Sequence, residues 1–177
     1  WHERDISHSS VERGIGPAAL GPLWDPGAVR IAFDAGVGAR LMLRLGGKIS
    51  PLSGDPIDLM CTVKALKPEL IMTGLSGAPV AMGDCALVEI GEPCRGVQVC
   101  LITLRNQAMG IDMFTQLGCE LAAQKIIVVK SSQHFYASYA TIARHVIYAA
   151  APGAVTIDLN TLDYRKIRRP KWPLRAG

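Results

Sequence analysis

Alternation of apolar and polar residues with a period of two runs through the first half of the chain, and this pattern restricts that half to β-strands. The segments ARLMLRL and IDLMCTVKAL each place mainly apolar residues on one side of a strand. CALVEI and GVQVCLITL follow, separated by a turn at residues 91–96. Because GVQVCLITL is apolar on both faces, we expect it to lie centrally. The pattern predicts an antiparallel sheet over residues 39–104.

The second half of the chain predicts a parallel arrangement. KIIVVK, residues 125–130, is a short unbroken apolar run, which is typical of a strand that is covered on both faces. Residues 133–143 have the apolar spacing of a helix, and HVIYAA then predicts a second strand. Strand, helix and strand together predict a βαβ unit over residues 125–150. The fold class is therefore predicted as α+β (mixed α/β), with an antiparallel sheet first and one βαβ unit second.

The start of the folded region is marked by DPGAVRIAFDAGVG. Asp25 can cap a helix whose first turn contains Pro26, and the helix should end at Gly36 or Gly38. Residues 1–22 lack clear periodicity and contain several glycines and prolines, so they are predicted to be an irregular N-terminal segment. The length of 177 residues fits a single domain, which we expect over residues 23–177.

Composition excludes several classes of protein. The 49% hydrophobic content excludes a disordered chain, and no apolar stretch approaches the length of a transmembrane helix. Six of the 19 basic residues follow position 164, and the remainder of the chain carries 13 basic and 15 acidic residues, so no nucleic-acid partner is expected. The five cysteines are odd in number and lack CxxC spacing, which argues against a zinc ribbon and favours the cytoplasm.

Several motifs fail on their spacing. RLGGKIS lacks the first glycine and the Ser or Thr of a P-loop, so it is interpreted as a hairpin turn. HERDISH does not have the two histidines of HExxH at the required separation, and no GxSxG elbow occurs. The residues therefore predict no metal site in this chain.

The stretch KSSQHF contains the best candidate site. Lys130 ends a predicted strand, and Ser131 or Ser132 is placed to cap the helix that follows. Ligands bind open α/β sheets at the carboxyl ends of strands, where a helix N-terminus favours an anion. Lys130, Ser131 and His134 would reinforce such a site. The alternative is that Ser131 only caps the helix, Lys130 is solvated and His134 packs.

Six motifs in the same order resemble the C-terminal domain of the microcystinase C (MlrC) family: LWDPGAV, AGVGARLMLRLGGK, TLRNQA, KIIVVKSSQHF, APGA and RRPKWPL. The resemblance covers the chain from about Leu20 to Leu174. Members of this family are bacterial zinc-dependent metallopeptidases, and the namesake degrades linearised microcystin peptides. The family is longer than this chain, and its N-terminal portion supplies the zinc ligands, so zinc is expected in the full-length protein with no ligands in this chain.

The resemblance implies roles for particular residues. Lys130, Ser131 and His134 would be catalytic and face the substrate cleft, and Ser132 would bind substrate. Arg105 and Gln107 match the R-x-Q of the family and would form a second polar, substrate-binding cluster. Ala137 stands where the family usually has arginine.

The expected partners are the N-terminal metal-binding portion of the same protein and a small peptide or amide substrate, with no nucleic acid and no membrane. The chain alone is not expected to hold the metal or to be active. The alternatives are a non-catalytic domain that binds a small anion, or a structural interaction domain.

Overall fold

The computed structural model describes residues 16–49, 51–91, 96–149, 163–166, 168 and 172. Nine elements organise these residues: β1 (Ala18–Trp24), α1 (Pro26–Ala35), β2 (Arg40–Leu45), β3 (Ile57–Thr73), β4 (Pro79–Ile90), β5 (Val97–Ile102), α2 (Asp112–Thr115), β6 (Ile126–Val129) and α3 (Tyr136–Tyr139). Short 3₁₀ turns lie at Pro51–Ser53, Leu75–Gly77 and Leu121–Ala123. Within these ranges, none of the helices has the length and apolar composition that a membrane-spanning segment needs.

One mixed sheet contains all six strands, in the order β2-β3-β4-β5-β1-β6. The neighbours β2 and β3, β3 and β4, and β4 and β5 pair antiparallel, as the alternating patterns predict. β5 lies centrally, which confirms the expectation from its two apolar faces. However, β1 and β6 extend the same sheet with parallel pairs, so the antiparallel strands do not form a sheet of their own.

The predicted βαβ unit at 125–150 is wrong. Residues 145–149 form no strand, and the helix between them and β6 is only four residues long. The parallel partner of β6 is β1, more than 100 residues earlier, with Ala18 opposite Ile126. Within the described part of the chain β6 is an edge strand. Val128 packs against one core and Ile127 and Val129 against the other, but all four residues are only partly buried or exposed, with Ile126 41% exposed.

Residues 18–22 form part of β1, so the irregular segment predicted at 1–22 is wrong over its last five residues; residues 1–15 lie outside the described ranges. Glycine and proline are typical of a loop, but tertiary contacts explain both residues in this strand. A Cβ on Gly21 would lie 2.9 Å from Cys100 Cβ, so this strand contact requires glycine. Pro22 lies in the irregular step between Leu20 and Leu23, where no ladder hydrogen bond is needed.

Each face of the sheet has its own core. On one face α1 buries Ala28, Val29 and Ala32 against alternate strand residues such as Val99 and Leu101. On the other face α2 and α3 cover the intervening residues, and the buried side chains there are Met113, Phe114, Phe135 and Tyr139 together with Cys100, Ile102 and their neighbours. The antiparallel strands therefore supply both layers by simple alternation.

The sheet curves strongly, and Asp25 lies where the ends of two distant strands come together. Asp25 directly follows β1, whereas Gly46 directly follows β2, four positions away in the strand order. A flat sheet would separate such positions by at least about 19 Å, at about 4.8 Å per strand, because β2 also runs in the opposite direction to β1. Instead, the Gly46 amide donates to Asp25 Oδ2 at 3.3 Å. The sheet thus wraps around the core on the α1 side, and Asp25 joins two distant strands.

Candidate functional site

The carboxyl ends of β5, β1 and β6 meet at one edge of the sheet, because these three strands are adjacent and parallel. Backbone hydrogen bonds connect the segments that follow them. The Asp25 amide donates to Ile102 O at 3.1 Å, the Lys130 amide to Gly21 O at 3.0 Å, and the Ala108 amide to Lys130 O at 3.4 Å. This is the edge at which open α/β sheets bind ligands. We call its side chains Trp24, Arg105, Gln107, Ser131 and His134 the edge cluster.

Gln107 connects the two loops of the edge cluster. Its side-chain oxygen Oε1 accepts a hydrogen bond from Ser131 Oγ at 3.3 Å and lies 3.3 Å from His134 Nδ1. Since a carbonyl oxygen only accepts, Nδ1 carries the hydrogen when the ring is neutral, and Nε2 then has a free lone pair. Among the described residues, no acceptor contacts the amide nitrogen of Gln107, so its two hydrogens are available to a ligand.

The loop that carries Gln107 is fixed at several points. Asn106 Oδ1 accepts from the Gln107 amide at 3.1 Å, and Asn106 Nδ2 donates to Ala81 O at 3.3 Å. The Leu104 amide donates to Met82 O at 3.1 Å. The loop after β5 therefore continues along β4, and Gln107 projects from an anchored backbone.

Trp24 and Arg105 form the second part of the edge cluster. The indole Nε1 donates to Thr103 O at 2.9 Å, which fixes the ring against the base of the loop. Arg105 Cζ lies 5.4 Å from the centroid of the Trp24 ring, within the range of a cation–π contact. The guanidinium group is exposed on its other side.

Asp25 is a site residue whose role the sequence only partly indicates. It caps α1 as predicted, with Oδ1 accepting from the Ala28 amide at 3.1 Å. It also accepts hydrogen bonds from Lys48 Nζ, at 2.8 Å to Oδ1 and 2.7 Å to Oδ2. The interpretation of RLGGKIS as a hairpin turn does not predict this ion pair. The two residues are 23 positions apart, so no local pattern connects them. Asp25 is 3% exposed and holds the backbone directly after Trp24.

The prediction that Ser131 caps a helix is wrong. The helix begins at Tyr136, and no side chain caps it. Ser131 donates to Gln107 instead, and residues 132–135 form bends and turns before the helix. His134 therefore does not lie in a helical first turn, although it is half-buried rather than sealed in the core.

The structure unites the two predicted clusters only in part. Ser131 and His134 contact Gln107, and Arg105 contacts Trp24 on the same edge. Lys130 joins through its backbone, and within the described ranges its side chain makes no ion pair. Ser132 is exposed, and no contact of its side chain appears among the described residues. The roles assigned to these residues stay predictions.

The edge carries positive charge. The segments 103–111 and 121–149 contain no Asp or Glu, and they carry Arg105 and Lys130 at this edge. Asp25, which follows β1, is offset by its ion pair with Lys48. The electrostatic potential at this edge therefore favours an anion over a cation.

Tyr139 stabilises the backbone that follows Gln107. Its hydroxyl donates to Gly110 O at 3.1 Å, and burial raises the pKa of this hydroxyl well above its usual value. Gly110 comes three residues after Gln107 in the sequence, and a Cβ at this position would collide with Asp112 and Thr73. The short helix α3 thus fixes the end of the loop after β5.

Replacing Tyr139 with phenylalanine is expected to lower the free energy of unfolding by about 1–2 kcal/mol, because Gly110 O loses its buried donor. Tyr136 in the same helix is 53% exposed, so Tyr136→Phe is a matched control and should change stability by less than about 0.5 kcal/mol. Urea denaturation of both variants measures the difference. Equal losses would contradict a specific role for the Tyr139 hydroxyl.

The described residues do not fit a zinc site. Nowhere in the described ranges do three or more His, Cys, Asp or Glu side chains lie together so that they could hold a metal ion. The buried thiols are also poor ligands, since burial raises the pKa of Cys85 to about 12 and that of Cys119 to about 11, and zinc binds the thiolate.

Three comparisons relate the chain to known proteins. Residues 5–166 match the family described as MlrC C-terminus. The chain is 32% identical over 168 residues to Microcystinase C of a Sphingomonas species, which covers 95% of this chain and 31% of that protein. The crystal structure of a candidate metallopeptidase from Mesorhizobium sp. BNC1 superposes with a TM-score of 0.79 and 26% identity, over 98% of this chain and 34% of the other. The chain thus spans about a third of the length of these relatives.

Proposed function

The chain belongs to the family of MlrC C-terminal domains, and we propose that it completes the substrate cleft of an MlrC-type hydrolase of the peptidase or amidohydrolase class. In this proposal the edge cluster contacts the substrate, and the rest of the protein supplies the metal. The relative named Microcystinase C suggests a small peptide as the substrate. The bacterial relative and the buried free thiols are consistent with a cytoplasmic bacterial protein.

The observation that carries the proposal is the contact of Gln107 Oε1 with both Ser131 and His134. One amide oxygen orients a hydroxyl and an imidazole, and no described residue forms a hydrogen bond with the Gln107 amide hydrogens or His134 Nε2, so these groups are available to a substrate. Donors held in fixed positions can bind a substrate carbonyl and stabilise the negative charge that develops on its oxygen. His134 Nε2 accepts a proton or hydrogen bond when the ring is neutral and donates when it is protonated.

The other predicted residues have supporting roles in this scheme. Ser131 fixes the orientation of Gln107, and Lys130 adds positive charge beside it. Ser132 is exposed at the rim, where it would contact the substrate only when the cleft is complete. Zinc would be held by residues in the remaining two thirds of the family protein, because the described residues of this chain do not fit a zinc site.

A non-catalytic domain that binds a small anion is the second candidate. The lack of acidic residues in the segments 103–111 and 121–149 favours it, because such an edge attracts anions without any metal. The two candidates differ in what the rest of the protein contributes. The hydrolase requires that part for activity, whereas an anion-binding domain functions without it.

Metal content and hydrolysis together test the proposal. We expect the purified chain to hold substoichiometric zinc and to leave a panel of small peptides and N-acyl amides intact. A polypeptide that joins this chain to the remaining part of a family member is expected to hold stoichiometric zinc and to hydrolyse members of the panel, and a chelator should abolish that activity. The remaining part alone is the control. Full activity of that part without this chain, or tightly bound zinc in this chain alone, would contradict the proposal.

A further inference from the structure

We propose that Arg105, which lies over the Trp24 ring, forms a binding site for a carboxylate group, so that the preferred ligands are small molecules or peptides with a free carboxylate. The inference deepens the proposed function by naming a ligand class, and it rests on that function only where the ligand is taken to be the substrate. The binding itself requires neither metal nor hydrolysis.

The geometry of Arg105 suits a carboxylate. Arg105 Cζ lies over the Trp24 ring, 5.4 Å from its centroid, so the indole lies on one side of the guanidinium group. The N–H donors lie in the plane of that group, and they stay free at its edge. Two of them can donate in parallel to the two oxygens of a carboxylate. Within the described part of the chain, no Asp or Glu side chain forms an ion pair with Arg105.

The platform beneath Arg105 is fixed before any ligand arrives. The Trp24 indole donates to Thr103 O at 2.9 Å, and the next residue, Asp25, binds Lys48 and the Ala28 and Gly46 amides. A cation on a fixed aromatic surface loses little side-chain entropy on binding. Such preorganisation favours a specific contact over a loosely solvated arginine.

The surroundings favour a carboxylate over phosphate. Phosphate sites commonly use free backbone amides at a helix N-terminus or in a loop. Here the Leu104, Gln107 and Ala108 amides already donate to Met82 O, Asn106 Oδ1 and Lys130 O. The free donors are side chains instead, namely the Arg105 fork and the Gln107 amide. These match a planar anion next to a neutral polar group, such as the end of a peptide.

Titration of the full chain with N-acetylglycine, followed by NMR chemical shifts, tests the site. We expect weak saturable binding of N-acetylglycine and no saturable binding of N-acetylglycinamide, which has the same shape without the charge. Arg105→Gln should weaken the binding at least about fivefold, and Arg105→Lys should weaken it as well, because lysine lacks the planar fork. Arg40→Gln is the matched control on an exposed arginine of β2, and it should bind like the parent chain.

The platform needs a separate variant. Trp24→Leu removes the aromatic face and should weaken binding of N-acetylglycine, whereas Trp24→Phe keeps a ring and should retain most of it. Circular dichroism of each variant shows whether the fold is intact, and the Arg105 variants test the site even if Trp24→Leu unfolds the chain.

Any of five results would overturn the carboxylate site: no binding of N-acetylglycine, unchanged binding in Arg105→Gln, equal binding of the amide, tighter binding of inorganic phosphate, or an equal loss in Arg40→Gln. The experiments distinguish failure of the carboxylate site from failure of the proposed function. Carboxylate binding by this chain together with an inactive joined polypeptide would reject the hydrolase and retain the site. Hydrolysis of free and amidated peptides at equal rates, with no binding of N-acetylglycine, would reject the site and retain the hydrolase.

Discussion

Replacing Asp25 with alanine is expected to lower the free energy of unfolding by about 3 kcal/mol. The carboxylate is 3% exposed and makes three kinds of contact, with the first turn of α1, the Gly46 amide and Lys48. Loss of the helix cap alone costs about 1 kcal/mol. The ion pair with Lys48 adds the remainder, at less than its fully buried value because Lys48 is partly exposed and solvent screens its charge.

A matched control lies on the same helix. Asp34 pairs with Arg30 at 3.1 Å, but their side chains are 65% and 79% exposed, so Asp34→Ala should change stability by less than about 0.5 kcal/mol. Asp25→Asn should fall between the two, since it keeps an oxygen for the cap and loses the charge. Urea denaturation compares the three variants. Equal effects of Asp25→Ala and Asp34→Ala would show that closure of the curved sheet does not depend on Asp25.

The elements that could be predicted are those with a local cause. The helix α1 begins after Asp25 and ends before Gly36, as the cap, Pro26 and the apolar spacing indicated. The strands β2 and β3 follow from alternation, which requires only that one face of each strand be buried, whereas β4 and β5 follow from short apolar runs that are typical of strands covered on both faces. Their antiparallel neighbours are sequential, so short connections were sufficient to predict the pairing.

The parallel pairs could not be predicted in this way. β1 pairs with β5 and β6, which lie about 80 and 110 residues later, and no local pattern identifies such partners. In addition, β1 contains Gly21 and Pro22, which normally mark a turn. Their presence in a strand is explained only by the contact with Cys100 and the irregular register, both of which are tertiary features.

The same distinction applies to the site. The sequence indicated two polar groups, Arg105 with Gln107 and Ser131 with His134, because each group is contiguous. The contact between them spans 24 to 27 residues and depends on β1 lying between β5 and β6. A serine after a strand can cap a helix, but its presence does not determine where the helix begins. In this chain residues 132–135 form bends and turns before Tyr136, so Ser131 is too far from the helix to cap it.

The central claim is that the edge cluster acts on the substrate, and it is tested most directly by kcat/KM of the joined polypeptide with His134→Ala. We expect a decrease of at least about tenfold, which corresponds to about 1.4 kcal/mol of transition-state stabilisation. His134 is half-buried, and Gln107 Oε1 is its hydrogen-bond partner among the described residues, so the free energy of unfolding should change little.

His145→Ala is the matched control, because His145 is exposed and forms no hydrogen bond with the residues that the structure describes. Gln107→Leu should reproduce much of the loss, and the double variant should lose less than the two single effects combined, since Gln107 acts partly through the orientation of His134. A tenfold or larger loss for His134→Ala, with parent kinetics for His145→Ala, is the result the account predicts. Parent values of kcat/KM for His134→Ala in a folded, zinc-containing polypeptide would contradict it.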